Sequence, residues 1–192
     1  MKVSKEQITE WIEMYLNSDY AKNILTRELS RMMIHRLQCD RKDESGVNVS
    51  VRWLEFINKN LSVFDKCKDF KSIYEQVEKF ADDFYGIGEL TIYDTATCIG
   101  CPKKLFPAVV YKHCGTAKGA NALGIRGRKI PKNRLVAICD AFEKLEPIQI
   151  EDFLCIFSHC LMADEQGCKE LHEKLKKKID KKKKSCKTIA HC

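Results

Sequence analysis

The sequence lacks any run of about 18 apolar residues, so we expect no membrane-spanning helix. We also expect no secretory leader, because Glu6, Glu10 and Glu13 interrupt the apolar pattern of its first 16 residues. Without an export signal, we expect a cytoplasmic protein whose eleven cysteines are reduced rather than paired in disulfides. The 192 residues, 44% hydrophobic and 32% charged, are otherwise typical of a globular chain.

Acidic residues are missing from one long segment. Between Lys103 and Arg134 there are nine basic residues and no Asp or Glu. The charge also divides along the chain, since residues 1–95 hold 14 basic and 17 acidic residues (net −3) and residues 96–192 hold 20 and 10 (net +10). A field of one sign attracts polyanions, so this segment favours a nucleic-acid partner. A basic surface that only aids solubility is the alternative.

Strand patterns are nearly absent, and apolar residues recur instead at helical spacing. Ser4 and Gln7 form a capping-box signature before the first apolar stripe. Residues that suit the starts of later helices are Asp19, Ser50, Ser72, Thr116 and Pro131. AVVYK, residues 108–112, predicts one short extended piece, which cannot build a sheet alone. We therefore predict an all-α fold, a compact multi-helix domain of about eight or nine helices.

The sequence predicts one helical domain over residues 1–168, followed by a lysine-rich helix and tail over residues 169–192. The end of the chain contains KLKKKIDKKKKSCK, residues 174–187. Such a stretch either adds attraction to phosphates regardless of base sequence or serves solubility.

The stretch FYGIGELTIYDTATCIG, residues 84–100, places a G-I-G turn between two helical patterns. Gly86 is able to adopt positive φ and end the first helix, and Gly88 permits close backbone approach. Ile87 is placed to point inward. The second helix then begins with N–H groups and a positive dipole end that suit an anion.

Residues 70–100 resemble the helix-hairpin-helix family of DNA-binding motifs in having an apolar residue, G-h-G and an amphipathic helix. The resemblance implies that backbone amides of the hairpin grip a duplex phosphate without reading the base sequence. Two positions depart from the family. Glu89 stands where members often carry proline or a neutral or basic residue, and Ile92 stands where they often carry alanine.

The resemblance extends to helix-hairpin-helix DNA glycosylases through VVYKHCGTAKGANALGI, residues 109–125. The place of their essential aspartate holds Tyr111, or Val110 if the register shifts by one, and the place of the lysine nucleophile holds Leu90. The resemblance therefore implies binding without base excision, and we predict no catalytic residue. YDTA, VYKHCGT and GANALG together also resemble small bacterial proteins, which implies no function.

HCGTAKGANALG, residues 113–124, predicts a capped helix start. Gly115 permits a tight turn and Thr116 is placed to cap the helix. Lys118 in the first turn opposes the helix dipole, which would make sense if an external anion sits there. An ordinary capped helix is the alternative.

Two groups of potential metal ligands are present, but neither has the spacing of a structural zinc site. Cys98-x-x-Cys101 falls partly in a predicted helix, and its further candidate ligands, His113 and Cys114, are adjacent. The second group is Cys155, His159, Cys160 and Cys168. Cysteine is also a common small core residue. We therefore predict no metal and no other cofactor, and we interpret His172 as a surface residue.

Three functions compete. The first is nucleic-acid binding without sequence preference, to DNA rather than RNA, on one positive face. The second is a helical protein-interaction domain with an acidic partner, and the third is a glycosylase-like enzyme. The residues predicted to contact nucleic acid are Gly86, Ile87, Gly88, Lys103, Lys104, Lys112, His113, Gly115, Thr116, Lys118, Arg126, Arg128, Lys129, Lys132 and Arg134.

Overall fold

A computed structural model of the chain describes residues 3–27 and 49–175, and most of these residues are helical. The α-helices are α1 (Lys5–Leu16), α2 (Asp19–Asn23), α3 (Val49–Lys59), α4 (Phe70–Ala81), α5 (Glu89–Gly100), α6 (Cys114–Ala122), α7 (Lys132–Val136), α8 (Pro147–Ile156), α9 (Ser158–Leu161) and α10 (165–175). Short 3-10 segments cover Ile24–Thr26, Leu61–Lys66, Cys101–Lys103 and Asp140–Lys144. The strands in these described ranges are β1 (Val110–Tyr111) and β2 (Lys129–Ile130). The all-α prediction is confirmed. The described residues contain more α-helices than the predicted eight or nine because α2, α7 and α9, each a single short turn, count as separate helices.

The chain divides into two compact units. Unit 1 combines residues 1–24 with residues 109–192, and unit 2 is the intervening stretch, residues 25–108. The sequence-based boundary at residue 168 does not coincide with this division, because α10 still contributes a buried side chain, Leu175, to the core of unit 1.

The core of unit 1 forms where α1 packs on α8. Helix α1 buries an apolar stripe at helical spacing, and its aromatic members meet the phenylalanines of α8. Tyr15 lies edge-on to Phe153 with ring centroids 5.9 Å apart, while its hydroxyl donates to Asp152 at 2.9 Å. Trp11 stacks on Phe157. The polar end of the buried tyrosine is thus satisfied while its ring fills the core.

The core of unit 2 is built on α3, α4 and α5. Trp53 of α3 is fully buried, and its indole N–H donates to the hydroxyl of Thr95 on α5 at 2.9 Å. Phe70 of α4 meets Tyr93 of α5 with ring centroids 5.9 Å apart. Aromatic contacts of this kind hold the two helices on either side of the G-I-G turn together.

The predicted helix starts were confirmed in part. Ser4 accepts from the Gln7 N–H while the Gln7 side chain accepts from Ser4, as predicted. Asp19 is wrong as a cap, because the extended residue before α2 is Ser18. Ser72 does take part in a capping box, but as the third helical residue, with Asp69 as the N-cap. Asp69 is the extended residue before α4, and its carboxylate accepts from the Ser72 N–H at 2.8 Å.

Two other predicted helix starts, Ser50 and Pro131, differ from the structure. Ser50 lies inside α3, which extends from Val49, so it does not cap that helix. Pro131 is the N-cap of α7 rather than a residue of its first turn. Residues 28–48 and the lysine-rich end beyond residue 175 lie outside the described residues.

Candidate nucleic-acid interface

The basic segment of unit 1 is organised by a small antiparallel ladder. Strand β1 pairs with β2, with Val110 opposite Ile130 and Tyr111 opposite Lys129. The Lys112 N–H extends the pairing by donating to the Arg128 carbonyl at 2.9 Å. The extended piece predicted at residues 108–112 is therefore confirmed. Its partner strand escaped sequence reasoning because two residues carry no periodic signal.

Four exposed cations follow one another around this ladder, and we call them the basic loop: Arg126, Arg128, Lys129 and Arg134. The backbone of the loop is held by side chains of the loop itself, since the Arg134 guanidinium donates to the Arg126 carbonyl at 3.1 Å. The Lys129 ammonium lies 5.0 Å from the centre of the Tyr111 ring. A cation over an aromatic face keeps its charge while its position is restrained.

Two lysines in the unit 1 part of the segment form hydrogen bonds within that unit. Lys112 donates to Asn121 at 2.7 Å and to the Ile125 carbonyl at 3.1 Å. Lys132 donates to the Glu143 carbonyl at 2.8 Å. These lysines tie the loop to α6 and to the 3-10 segment at Asp140–Lys144. Lys118, in contrast, is exposed on α6.

His113 and Thr116 lie in the interior of unit 1. The Thr116 hydroxyl donates to the carboxylate of buried Glu151 on α8 at 2.6 Å, and His113 Nε2 is 3.8 Å from the same carboxylate. Thr116 is thus not the N-cap, which is His113. Because both side chains are buried, we leave them out of the surface that meets a phosphate.

Two glycines of α6, Gly115 and Gly119, have a packing role that the sequence did not predict. Gly115 and Gly119 face α8 one helical turn apart. A Cβ at Gly119 would clash with the backbone carbonyl of Leu154, and one at Gly115 would clash with the Cys155 thiol. Gly115 lies inside α6 rather than in a tight turn. The absence of a side chain at these two positions lets α6 and α8 approach closely.

The G-I-G turn of unit 2 has the predicted form in part, because α4 already ends at Ala81, five residues before Gly86. Gly86 has φ +90, Gly88 is the extended N-cap of α5, and α4 and α5 pack together on either side. Ile87 is partly buried. A Cβ at Gly88 would meet nothing within 4 Å, so this glycine leaves open space at the helix start.

The surroundings of the turn are acidic. Asp82, Asp83 and Glu89 are all exposed within the eight residues 82–89. Tyr85 is 99% exposed. A phosphate at the start of α5 would therefore meet N–H groups and nearby carboxylates at once, and these oppose each other electrostatically.

The two basic residues of unit 2 in the segment differ in their use. Lys103 is engaged by the Phe64 carbonyl and the Asp65 carboxylate, each at 2.9 Å. Lys104 is exposed and has φ 57. Because the turn belongs to unit 2 and the basic loop to unit 1, the single positive face stays a prediction.

The cysteines do not form the pairs that spacing suggested. Cys98 and Cys101 are buried thiols that form no disulfide, and burial raises the pKa of Cys101 above its usual range. Cys155 is an exposed cysteine outside any disulfide, and His159 contacts Asp164 at 2.7 Å. Cys160 and Cys168 are joined in a disulfide, so the expectation that every cysteine is reduced is wrong for this pair.

One ligand set does emerge from the fold. Among the His, Cys, Asp and Glu side chains of the described ranges, one set of three brings its ligand atoms within 4.8 Å of one another: Cys160, Cys168 and His172. His172, which the sequence predicts as a surface residue, is half-buried beside Cys168. The signal was its position four residues after Cys168, which puts both side chains on one helix face.

Comparison with protein-family models, curated proteins and solved structures gives no match to this chain. Among the described residues, no helix has both the length and the apolar character that crossing a bilayer requires.

Proposed function

We propose that the protein binds nucleic acid, DNA rather than RNA, through phosphate contacts that do not read base sequence. The observation that carries the proposal is the basic loop of unit 1. Its cations are exposed within nine residues, in a segment that contains no acidic residue from Lys103 to Arg134. A concentrated field of one sign on the surface is what attracts a phosphate backbone.

The loop is suited to hold phosphates in place. Its backbone is tied down on both sides, by the Arg128 carbonyl in the ladder and by the Arg126 carbonyl bonded to Arg134. A restrained loop loses little freedom when it binds. Guanidinium groups bind phosphate oxygens through two parallel hydrogen bonds, so Arg126 and Arg128 are the principal contacts. Contacts to phosphate position a protein but carry no sequence information.

The G-I-G turn is a second phosphate contact in this proposal, through the backbone N–H groups at the start of α5. Its support is the open space at Gly88. The carboxylates of Asp82, Asp83 and Glu89 weaken an anion site at this place, so we assign the larger share of the affinity to the basic loop.

The test is fluorescence anisotropy with a labelled duplex at a series of salt concentrations. Each neutralised phosphate contributes about −0.9 to the slope of log affinity against log salt. Arg126→Ala with Arg128→Ala should flatten the slope by roughly 1 to 2 units without changing the preference among base sequences. The charge-matched control is Lys5→Ala with Lys169→Ala, two exposed lysines outside the acid-free segment, which should keep the slope.

The contribution of the turn is measured separately. Gly88→Val should weaken binding because its side chain fills the space that a phosphate would occupy, and the fold should tolerate it because that space is empty. Helicity by circular dichroism is the control. If wild-type protein binds neither DNA nor RNA at low salt, the proposal is wrong. Binding of an acidic polypeptide under the same conditions would then assign the basic loop to a protein partner.

A further inference from the structure

Helices α9 and α10 of unit 1 are joined by a tight turn. Helix α9 ends with Ala163 in the left-handed region at φ 61, where the Ala163 N–H donates to the Cys160 carbonyl and the Asp164 N–H to the His159 carbonyl. Asp164 then begins α10, because its carboxylate accepts from the Gly167 N–H at 3.1 Å. The Gly167 N–H, followed by the His159 imidazole, holds the pKa of Asp164 below its usual range.

The turn brings α10 close to the end of α9. A Cβ at Gly167 would lie 2.8 Å from His159 Cβ, which no real Cβ contact allows, so glycine is required for this approach. The Cα atoms of Cys160 and Cys168 are consequently only 4.7 Å apart. His159 contacts Asp164, so the histidine beside the two cysteines is a different one.

That histidine is His172, one turn further along α10. Its Nε2 is 3.7 Å from Cys168 Sγ, and the three ligand atoms of Cys160, Cys168 and His172 are mutually within 4.8 Å. Cys160 is buried, whereas Cys168 and His172 are half-buried. The imidazole also lies edge-on to Trp11, with ring centroids 6.5 Å apart. A disulfide joins only the two sulfurs and does not require an imidazole beside it. His172 therefore adds a third potential metal ligand to the two cysteines.

We propose that Cys160, Cys168 and His172 form a binding site for a thiophilic divalent cation, zinc foremost, in the reduced protein. Two sulfurs and one imidazole nitrogen are the ligand types that zinc prefers, and three protein ligands leave a fourth position for water. The disulfide closes this site, because its sulfurs no longer have thiolate charge to donate.

The conversion between the two states is balanced by an external dithiol. The dithiol transfers two electrons and two protons to the disulfide, giving two cysteine thiols and its own cyclic disulfide. Zinc then displaces the two thiol protons and binds the thiolates together with neutral His172. The site is thus open to metal only where the protein is kept reduced.

The experiment compares zinc binding by full-length protein before and after treatment with a dithiol. After the dithiol is removed under anaerobic conditions, reduced protein should retain about one zinc per chain, and oxidised protein none at this site. Cobalt offers a second readout, because thiolate-to-cobalt charge transfer appears in the near ultraviolet. Cobalt should also quench part of the tryptophan fluorescence, since Trp11 lies against His172.

Three variants and matched controls locate the site. We expect zinc binding to weaken by more than about 100-fold in each of Cys160→Ser, Cys168→Ser and His172→Gln. About 100-fold is the largest loss expected when only a residue hydrogen-bonded to a ligand, and not the ligand itself, is removed. Cys155→Ser and His159→Gln alter the same residue types nearby and should bind as wild type. Cys186→Ser with Cys192→Ser tests the cysteines beyond residue 175 and should also leave zinc binding unchanged.

Two results would overturn the proposal. One is the absence of zinc and cobalt binding by reduced wild-type protein. The other is wild-type zinc affinity in reduced His172→Gln. This variant keeps both cysteines and still forms the disulfide, so its folding is checked in the oxidised state. Retention of zinc by oxidised protein would assign the metal to other residues.

Discussion

Replacing Gly119 with alanine should destabilise unit 1, although the same change in most helices is stabilising. Alanine is favoured over glycine inside a helix by about 0.8–1 kcal/mol. At Gly119, however, the added Cβ would clash with the Leu154 carbonyl oxygen and would lie 3.0 Å from its carbon and 3.2 Å from its Cα. All three atoms belong to the backbone of α8, so only separation of the two helices relieves the contact.

The magnitude follows from these opposing effects. Overpacking a core costs typically about 1–3 kcal/mol, and a rigid obstacle belongs at the upper end of that range. After subtraction of the helix-propensity gain, we expect Gly119→Ala to lower the free energy of unfolding by about 1–2 kcal/mol. With a urea dependence of about 2 kcal/mol per molar, the midpoint should fall by about 0.5–1 M.

Gly115→Ala is the internal comparison. There the nearest obstacle is the Cys155 thiol, a side-chain atom that a rotation moves aside, and the remaining Cys155 atoms lie at 3.4 and 3.5 Å. Its cost should be smaller than that of Gly119→Ala. Cys155→Ala should remove this cost in the double variant and should not rescue Gly119→Ala.

Urea unfolding followed by circular dichroism decides the matter, with Lys118→Ala as a control on the exposed face of α6. A Gly119→Ala protein as stable as wild type would refute the close approach of α6 and α8. So would a larger loss at Gly115 than at Gly119.

Two further predictions concern buried and capping hydrogen bonds. Thr116→Val should lower the free energy of unfolding by about 1–3 kcal/mol, because the buried Glu151 carboxylate loses its hydroxyl donor. Thr116→Ser keeps a hydroxyl and should retain most of that stability. Equal unfolding midpoints for the valine and serine variants would contradict this. The backbone N–H of Ser72, and then its hydroxyl, hold the pKa of Asp69 below its usual range. The Asp69 contribution to stability is therefore fully present above the unfolded pKa, and it is lost as pH falls through the lower folded pKa. Asp69→Asn should remove this part of the acid dependence of the urea midpoint, and an unchanged profile would show that the charged cap contributes nothing.

The all-α fold was predictable because apolar residues repeat at helical spacing in nearly every segment, a signal that needs only local sequence. The G-I-G turn was predictable for a similar reason, since Gly86 and Gly88 act within a few residues of chain. The roles of Gly115 and Gly119 were not, because the atoms that require glycine belong to α8, more than 30 residues away. Spacing rules describe neighbours along the chain, whereas close helix packing depends on neighbours in space.

The cysteine cluster illustrates the same limit at shorter range. The pattern Cys155, His159, Cys160 and Cys168 contains both cysteines of the site but the wrong histidine. The choice between His159 and His172 depends on the turn at Ala163 and on the Asp164 carboxylate, which engages His159. The sequence shows each of these residues, but not the backbone path that selects between them.

The split composition of unit 1 has a consequence for biosynthesis. Helix α1 emerges from the ribosome before α8, and the rings that cover Tyr15 and Trp11, Phe153 of α8 and Phe157 at its end, follow about 140 residues later in the chain. At translation rates of roughly 5–20 residues per second, the apolar face of α1 waits about 7–30 s for its partner. Unit 2 is continuous in sequence and is complete well before that, so its folding need not await the rest of the chain. During that interval α1 is a nascent amphipathic segment of the kind that holdase chaperones bind, and its apolar face stays uncovered until α8 has been made.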